Sequence, residues 1–168
     1  MKTILLGTAA LAMTASMALA QDVVRLGTEG AYPPYNYIDD AGEVAGFERV
    51  LGDELCERAE LTCEWVTNEW DSIIPNLVSG NYDAIIAGMS ITPEREEVVA
   101  FTQNYTPPSP SAFASMMEGV ELDSAVIAAQ TGTIQAAHVA SMEGATLVEY
   151  PTPDETVAAM RAGEADVV

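Results

Sequence analysis

Twice along this chain a helix is closed by glycine and the next strand is entered through aspartate. The first instance is Leu77-Val78-Ser79-Gly80-Asn81-Tyr82-Asp83-Ala84-Ile85, the second Val157-Ala158-Ala159-Met160-Arg161-Ala162-Gly163-Glu164-Ala165-Asp166-Val167. Glycine ends a helix because it adopts the left-handed conformation without a side-chain clash. A strand that follows so soon must pack back on the sheet the helix came from, so strand alternating with helix argues for parallel βαβ units. Their recurrence predicts two similar lobes.

The alternation is legible along most of the sequence. Residues 23–28 form an apolar run interrupted by Arg25, and Pro33-Pro34 ends any regular element after it. A hairpin tip is expected at Asp39-Asp40-Ala41-Gly42. Phe47, Val50, Leu51 and Leu55 recur at helical spacing, which predicts one apolar face of a helix ending near 56–58. A strand over 62–66 follows. Next comes a helix capped by Asp71 or Ser72, with Ile73, Ile74, Leu77 and Val78 turned inward, and then a strand over 83–87. The C-terminal part repeats the grammar: strand 125–129, helix from about 134, strand 146–150, helix 154–162 and strand 165–168. Between the two parts Pro107, Pro108 and Pro110 exclude helix and predict a stiff, extended connector. The expected organisation is a first lobe over 22–106, a connector over 107–110 and a second lobe over 111–168. A cleft between two such lobes is a natural ligand site.

Residues 1–20 are set aside as a signal peptide. Lys2 precedes an apolar stretch, and Ala18-Leu19-Ala20 supplies the small residues at a cleavage site, with Gln21 as the new N-terminus. The apolar core is shorter than the ~20 residues a membrane-spanning helix needs, and no later segment could span a bilayer. Export implies an oxidising compartment, in which Cys56 and Cys63 are expected to pair. Closing so short a loop contributes about 2.5 kcal/mol on the chain-entropy model. Free thiols or a metal pair suit an exported chain with a single histidine poorly. Once Lys2 is removed, 26 acidic residues face five arginines, a formal charge of −21. Such a surface repels phosphate and excludes nucleic acid as a partner; its plainest consequence is solubility.

Thr92-Pro93-Glu94-Arg95 is the most informative local feature. Thr92 is a good N-cap and Pro93 fits the first helical position, so Arg95 falls in the first turn. A cation there opposes the helix dipole at a cost of about 0.3–1 kcal/mol. An anion relieves the conflict, and a guanidinium meets a carboxylate with two parallel donors. A surface pair with Glu96 or Glu97 is the plain alternative. Gln130-Thr131-Gly132-Thr133, between a strand and a helix, is a glycine turn of the kind whose free N–H groups hold anions, although such turns are also ordinary parts of βαβ lobes. Arg95 and this turn, facing each other, would clamp one carboxylate. Tyr32 and Trp70 lie beside polar segments and could flank a ligand side chain. Glu29, at the end of the first strand, could receive an ammonium group or be a solvated strand end. Trp65 reads as core, and Met116 and Met117 as packing residues. His138, the only histidine, has no partner set for nucleophilic catalysis. No metal-ligand spacing occurs, and no cofactor is expected.

An ordered set of motifs completes the reading: Leu26-Gly27-Thr28-Glu29-Gly30-Ala31-Tyr32-Pro33-Pro34-Tyr35, Gly46-Phe47-Glu48, Trp70-Asp71-Ser72-Ile73-Ile74-Pro75, Gly80-Asn81-Tyr82-Asp83-Ala84-Ile85 and Ser90-Ile91-Thr92-Pro93-Glu94-Arg95. From residue 23 to 168 the chain resembles the family 3 solute-binding proteins of polar amino acid ABC transporters, near the lysine/arginine/ornithine and octopine/nopaline receptors. The resemblance implies an α/β fold of the type II periplasmic binding protein kind: two βαβ lobes joined by a hinge, the second incomplete. It implies a monomeric periplasmic receptor that captures a polar, basic amino acid or opine and delivers it to an ABC permease without chemical change. Cys56 and Cys63 match the disulfide of the basic amino acid receptors. Tyr32 and Trp70 would sandwich the ligand side chain, with Glu29 facing its distal end. Gly88 would offer a carbonyl and Ser90 a hydroxyl to the α-ammonium, Arg95 and the Thr133 N–H would hold the α-carboxylate, and Gln135 would line the second lobe.

Departures from the family pattern bear on the ligand. Ala87 and Gly88 stand where the basic amino acid receptors often have serines, and Glu29 replaces their usual aspartate. Glu48, also at an aspartate position, is expected to concern packing only. In the family the strand at Asp166-Val167-Val168 continues to a cleft aspartate and further elements, so the chain is expected to be a fragment of a longer product that binds weakly or not at all. Submicromolar amino acid binding by the 168-residue chain would refute that. Two other classes share such a fold: a periplasmic enzyme of the cyclohexadienyl dehydratase kind using Glu29 as acid or base, and the sensory domain of a receptor kinase.

Overall fold

The computed structural model describes residues 23–168; the expected signal peptide lies outside the described residues. Strand β1 (Val23–Thr28) is the centre of a parallel three-stranded sheet, flanked by β5 (Thr62–Thr67) and β6 (Ala84–Ile85). Val23 stands opposite Thr62 and Thr28 opposite Thr67, while Leu26 and Gly27 pair with Ala84 and Ile85. A small antiparallel sheet of β2 (Ala31–Tyr32), β3 (Asn36–Ile38) and β4 (Val44–Ala45) follows β1, and helix α1 (Phe47–Arg58) leads from it to β5. A 3-10 turn over Trp70–Ser72 runs into α2 (Ile73–Val78), and the short α3 (Pro93–Glu96) follows β6. In the C-terminal half β7 (Val126–Gln130) pairs in parallel with β8 (Thr146–Tyr150) around α4 (Ile134–Ala140). Helix α5 (Pro153–Ala162) then returns the chain so that Val167 bridges Ile127, again in parallel. Both halves are therefore built from βαβ units.

The repeated glycine-to-aspartate junction has the same geometry in both halves. Gly80 and Gly163 have φ of 79° and 78°, the left-handed state expected just past a helix end. Beyond them Asp83 donates its N–H to the Arg25 carbonyl at 2.9 Å and accepts the Arg25 N–H on Oδ2 at 2.8 Å. Asp166 does the same with Val126, at 2.8 Å in each direction. Each aspartate thus clamps one residue of the neighbouring strand through both of its backbone groups, which fixes the register where the sheet begins.

Each half has its own core. Ile73, Tyr82 and Ala87 are buried together in the first, with the Tyr82 hydroxyl bonded to the Ile73 carbonyl. Ala125, Ile127, Val139 and Val167 form the second. Cys56 and Cys63 are joined in a disulfide between the last turn of α1 and β5, as expected from an oxidising compartment.

Several expectations are corrected. The buried face of α1 is Glu48, Gly52 and Cys56, while Phe47, Val50 and Leu55 are exposed. The reason lies in the partner: a Cβ on Gly52 would sit 2.5 Å from the Trp65 ring, so the indole occupies the space that glycine leaves. Val78 is 62% exposed rather than turned inward. Neither Asp71 nor Ser72 caps α2 with its side chain, because the 3-10 turn carries the chain into the helix and Ser72 Oγ donates to the Glu69 carbonyl instead. The strand expected over 83–87 shrinks to two residues, and the one over 165–168 to a single bridge. Met116 and Met117, 71% and 56% exposed, do not pack; they lie in a stretch with no helix or strand of its own to press them on the core.

Candidate functional site

Of the residues singled out in the sequence, Glu29, Trp70 and Arg95 of the N-terminal half bond groups of the C-terminal half directly. Arg95 is positioned by α3: Thr92 Oγ1 accepts its N–H at 3.3 Å, and Pro93 occupies the first turn, as the sequence predicts. Among the described residues its side chain forms no ion pair with Glu96 or Glu97. One terminal nitrogen donates to the Ser90 carbonyl at 2.8 Å, the other to the Gly132 carbonyl of the opposite half at 3.3 Å, and the guanidinium lies 5.6 Å from the centre of the Trp70 ring. Two of its five donors are engaged. Among the described residues no carboxylate lies within ion-pair distance of it. Burial pulls its pKa down from the usual value, an effect Glu94 opposes. The outcome is a half-buried cation held by neutral carbonyls and an aromatic face, which an anion would stabilise.

The turn opposite is built as expected in outline. Gly132 has φ of 71°, the left-handed state that glycine adopts without strain, and the turn lies beside Asp71 and Trp70. Thr133 caps α4, its hydroxyl accepting the Ala136 N–H at 3.1 Å and donating to the Gln130 carbonyl at 2.6 Å. The Thr131 N–H is bonded to the Tyr150 carbonyl, so it is not one of the free N–H groups expected of the turn. Trp70 Nε1 donates to the same Gly132 carbonyl at 3.2 Å.

Glu29 follows β1 and accepts a hydrogen bond from the Gln130 side chain of the other half. Burial pushes its carboxyl above the usual carboxylate range, and the Gln130 bond partly restrains this. It also borders a cleft of about 310 Å³ shared by both halves, with Asn68, Glu69 and Thr152 on its walls. Tyr32 is exposed at the end of β2 and stacks on Tyr35, ring centres 5.3 Å apart. Its ring edge would lie 3.9 Å from a Cβ on Gly88. Gly88 and Ser90 follow β6, and the Ser90 carbonyl is the one bound by Arg95. Gln135 donates to Ser111 Oγ at 2.8 Å, just past the three prolines. Sequence reasoning missed Gln130, taken only as part of a turn, and Glu48, taken as a packing residue. Glu48 is fully buried and hydrogen-bonded to Asn36 and Tyr105; its partners lie 12 and 57 positions away, beyond any local pattern.

Among the described residues there is no cluster of metal-ligating side chains, and no helix long and apolar enough to cross a membrane.

Residues 24–120 match the bacterial extracellular solute-binding proteins, family 3. The octopine-binding periplasmic protein of Rhizobium meliloti is 46% identical over 98 residues, covering 58% of this chain and 33% of that protein. The L-arginine-binding protein of Pseudomonas aeruginosa is 34% identical over 178 aligned positions, covering 99% of this chain and 68% of that one. A crystal structure of a periplasmic His/Glu/Gln/Arg/opine family-binding protein from Silicibacter pomeroyi, in complex with lysine, superposes with a TM-score of 0.83 at 70% identity. That match covers 86% of this chain and 66% of that one. The chain thus spans about a third of the first relative and about two thirds of the other two. The relatives are binding proteins of the periplasm, and the fold they share is the two-lobed, type II α/β architecture expected from the sequence.

Proposed function

Because the chain belongs to the bacterial extracellular solute-binding proteins of family 3, we propose that it acts in a periplasmic receptor that captures a polar, basic amino acid or opine for an ABC importer. The observation that carries this reading is Arg95: a half-buried guanidinium lying over Trp70, without a carboxylate partner among the described residues, and facing Gly132 across the two halves. In this reading the first lobe spans 22–106, the connector 107–110 and the second lobe 111–168. The ligand carboxylate binds the remaining Arg95 donors and the N–H of Thr133. Its ammonium meets the Gly88 carbonyl and the Ser90 hydroxyl, its side chain lies between Tyr32 and Trp70, and a distal cation approaches Glu29. Gln135 lines the second lobe. Export follows from the signal peptide over 1–20. The receptor works as a monomer and hands its cargo to the permease unchanged; ligand closes the lobes by binding the closed state more tightly.

The test is a thermal-shift panel on the full-length gene product with lysine, arginine, ornithine, histidine and octopine, since a ligand that binds only the folded state raises its melting temperature. At least one member of the panel should do so saturably. No shift with any of them would count against the reading. The raised carboxyl of Glu29 suits an acid or base equally well, which favours one alternative, a dehydratase on this fold. Incubation with prephenate and arogenate should give no product; turnover would replace capture with catalysis.

A further inference from the structure

Glu48 is wholly buried in the first turn of α1, yet among the described residues no cation pairs with it. A carboxylate in that setting is tolerated only when hydrogen bonds replace its water, and an apolar side chain would fill the same space at lower cost. Its bonds lead to two places in the candidate site. On one side Asn36 Nδ2 donates to Glu48 Oε2 at 2.6 Å, while Asn36 Oδ1 accepts the N–H of Gly30, next to Glu29, at 2.7 Å. On the other the Tyr105 hydroxyl donates to Glu48 Oε1 and accepts the N–H of Gly88 at 2.8 Å. Every donor in the chain points toward the one carboxylate. Gly88 has a φ of 58°, a left-handed state that favours glycine, and lies beside Glu48 Oε1 and the Tyr32 ring. Tyr105 lies just before the proline-rich connector. Burial and the neighbouring Glu48 push its phenol far above the usual value, so it keeps the proton it donates.

We propose that Glu48 is a positioning residue that acts through Tyr105, holding the Gly88 peptide and the root of the interlobe connector in the arrangement the ligand's ammonium group requires. This rests on the receptor reading above and deepens it: Glu48 does not touch the ligand, but it joins the ammonium end of the site to the connector and, through Asn36, to the loop that carries Glu29.

The experiment uses the full-length gene product and its Tyr105→Phe and Glu48→Gln variants, titrated calorimetrically with L-lysine and L-arginine. Amide exchange at Gly88 is followed in parallel without ligand. Tyr105→Phe keeps the ring and removes the hydroxyl; Glu48→Gln keeps the shape and puts an amide donor in place of one of the two acceptor oxygens. Tyr105→Phe should speed Gly88 exchange and weaken the affinity about ten-fold, the equivalent of one buried hydrogen bond, and Glu48→Gln should move both in the same direction. A core control in the other half, Val139→Ala, should lower the melting temperature while leaving Gly88 exchange and affinity as they were. Unchanged affinity or unchanged Gly88 exchange in Tyr105→Phe overturns the positioning role. So does an affinity loss in the control equal to that in the variants. If the parent protein binds neither amino acid, nor ornithine, histidine or octopine, while Gly88 exchange still responds, the receptor reading fails and takes the ligand role of Glu48 with it.

Discussion

The two halves share a construction and differ in what they present to each other. Each is a parallel βαβ layer whose register is fixed by an aspartate after a left-handed glycine, Asp83 on Arg25 and Asp166 on Val126. Where they meet, the N-terminal half offers side chains, Arg95, Trp70 and Glu29, while the C-terminal half answers mostly with main chain at Gly132 and with the amide of Gln130. The clamps differ as well. Asp83 also forms a salt bridge with the Arg25 guanidinium at 2.9 Å, which holds the aspartate below the usual carboxylate range; Asp166 has only the backbone of a valine. What recurs is the backbone clamp, and the ion pair is an addition on a surface where such pairs contribute little. The contrast is one of chemistry: the first half presents charged and aromatic side chains at the junction, the second a main-chain carbonyl and an amide.

The largest effect that could break this contrast is at Arg95. Arg95→Ala should weaken binding of lysine or arginine by about 100-fold or more, the range for losing one partner of a buried, hydrogen-bonded charge pair. Gln135→Ala, a side chain of the other half bonded to Ser111, should change affinity less than about three-fold, because one exposed hydrogen bond is at stake. Equal losses at both positions, measured by calorimetry, would remove the asymmetry.

Next in size is the clamp itself. Asp166→Ala leaves the Val126 N–H without its acceptor and should destabilise the chain by about 1–3 kcal/mol in urea unfolding, whereas Asp166→Asn keeps an acceptor oxygen and should cost less. A smaller effect is expected at the turn. A side chain at Gly132 strains its φ of 71°, so Gly132→Ala should lower stability by about 1–2 kcal/mol in urea unfolding.

The smallest effect concerns pH. The folded-state pKa of Glu29 is raised by burial, so its contribution to stability is fully present below the unfolded value of about 4.3 and is lost as pH rises through the raised folded value. Glu29→Gln keeps an acceptor for Gln130 and removes that loss. Its melting temperature should exceed the parent's at pH 7 and match it near pH 4. The reverse order at pH 7 would mean that the ionised carboxylate stabilises the closed halves.

How much of this was legible in the sequence depended on range. Strand 146–150, helix α5 and the capped turn carrying Arg95 were readable because their signals are local: alternation, the Thr152-Pro153 start and Gly163 stop, Thr92 before Pro93. The inward face of α1 was misread because it is chosen by a distant partner. Gly52 is buried because the Trp65 ring lies over it, and Glu48 because Asn36 and Tyr105 reach it. Glu29 and Arg95 were found as chemistry-bearing residues at element ends. The contact of Glu29 with Gln130, 101 positions apart, could come only from the way the halves close on each other.

The most direct test of the account follows the Arg95 side-chain nitrogens by NMR in the full-length protein labelled at arginine, during addition of L-lysine and, separately, of cadaverine, which has the same chain without the carboxylate. The account predicts that lysine shifts the Arg95 Nε–H signal and binds far more tightly than cadaverine. Equal affinities, or an Arg95 signal indifferent to saturating lysine, would contradict it.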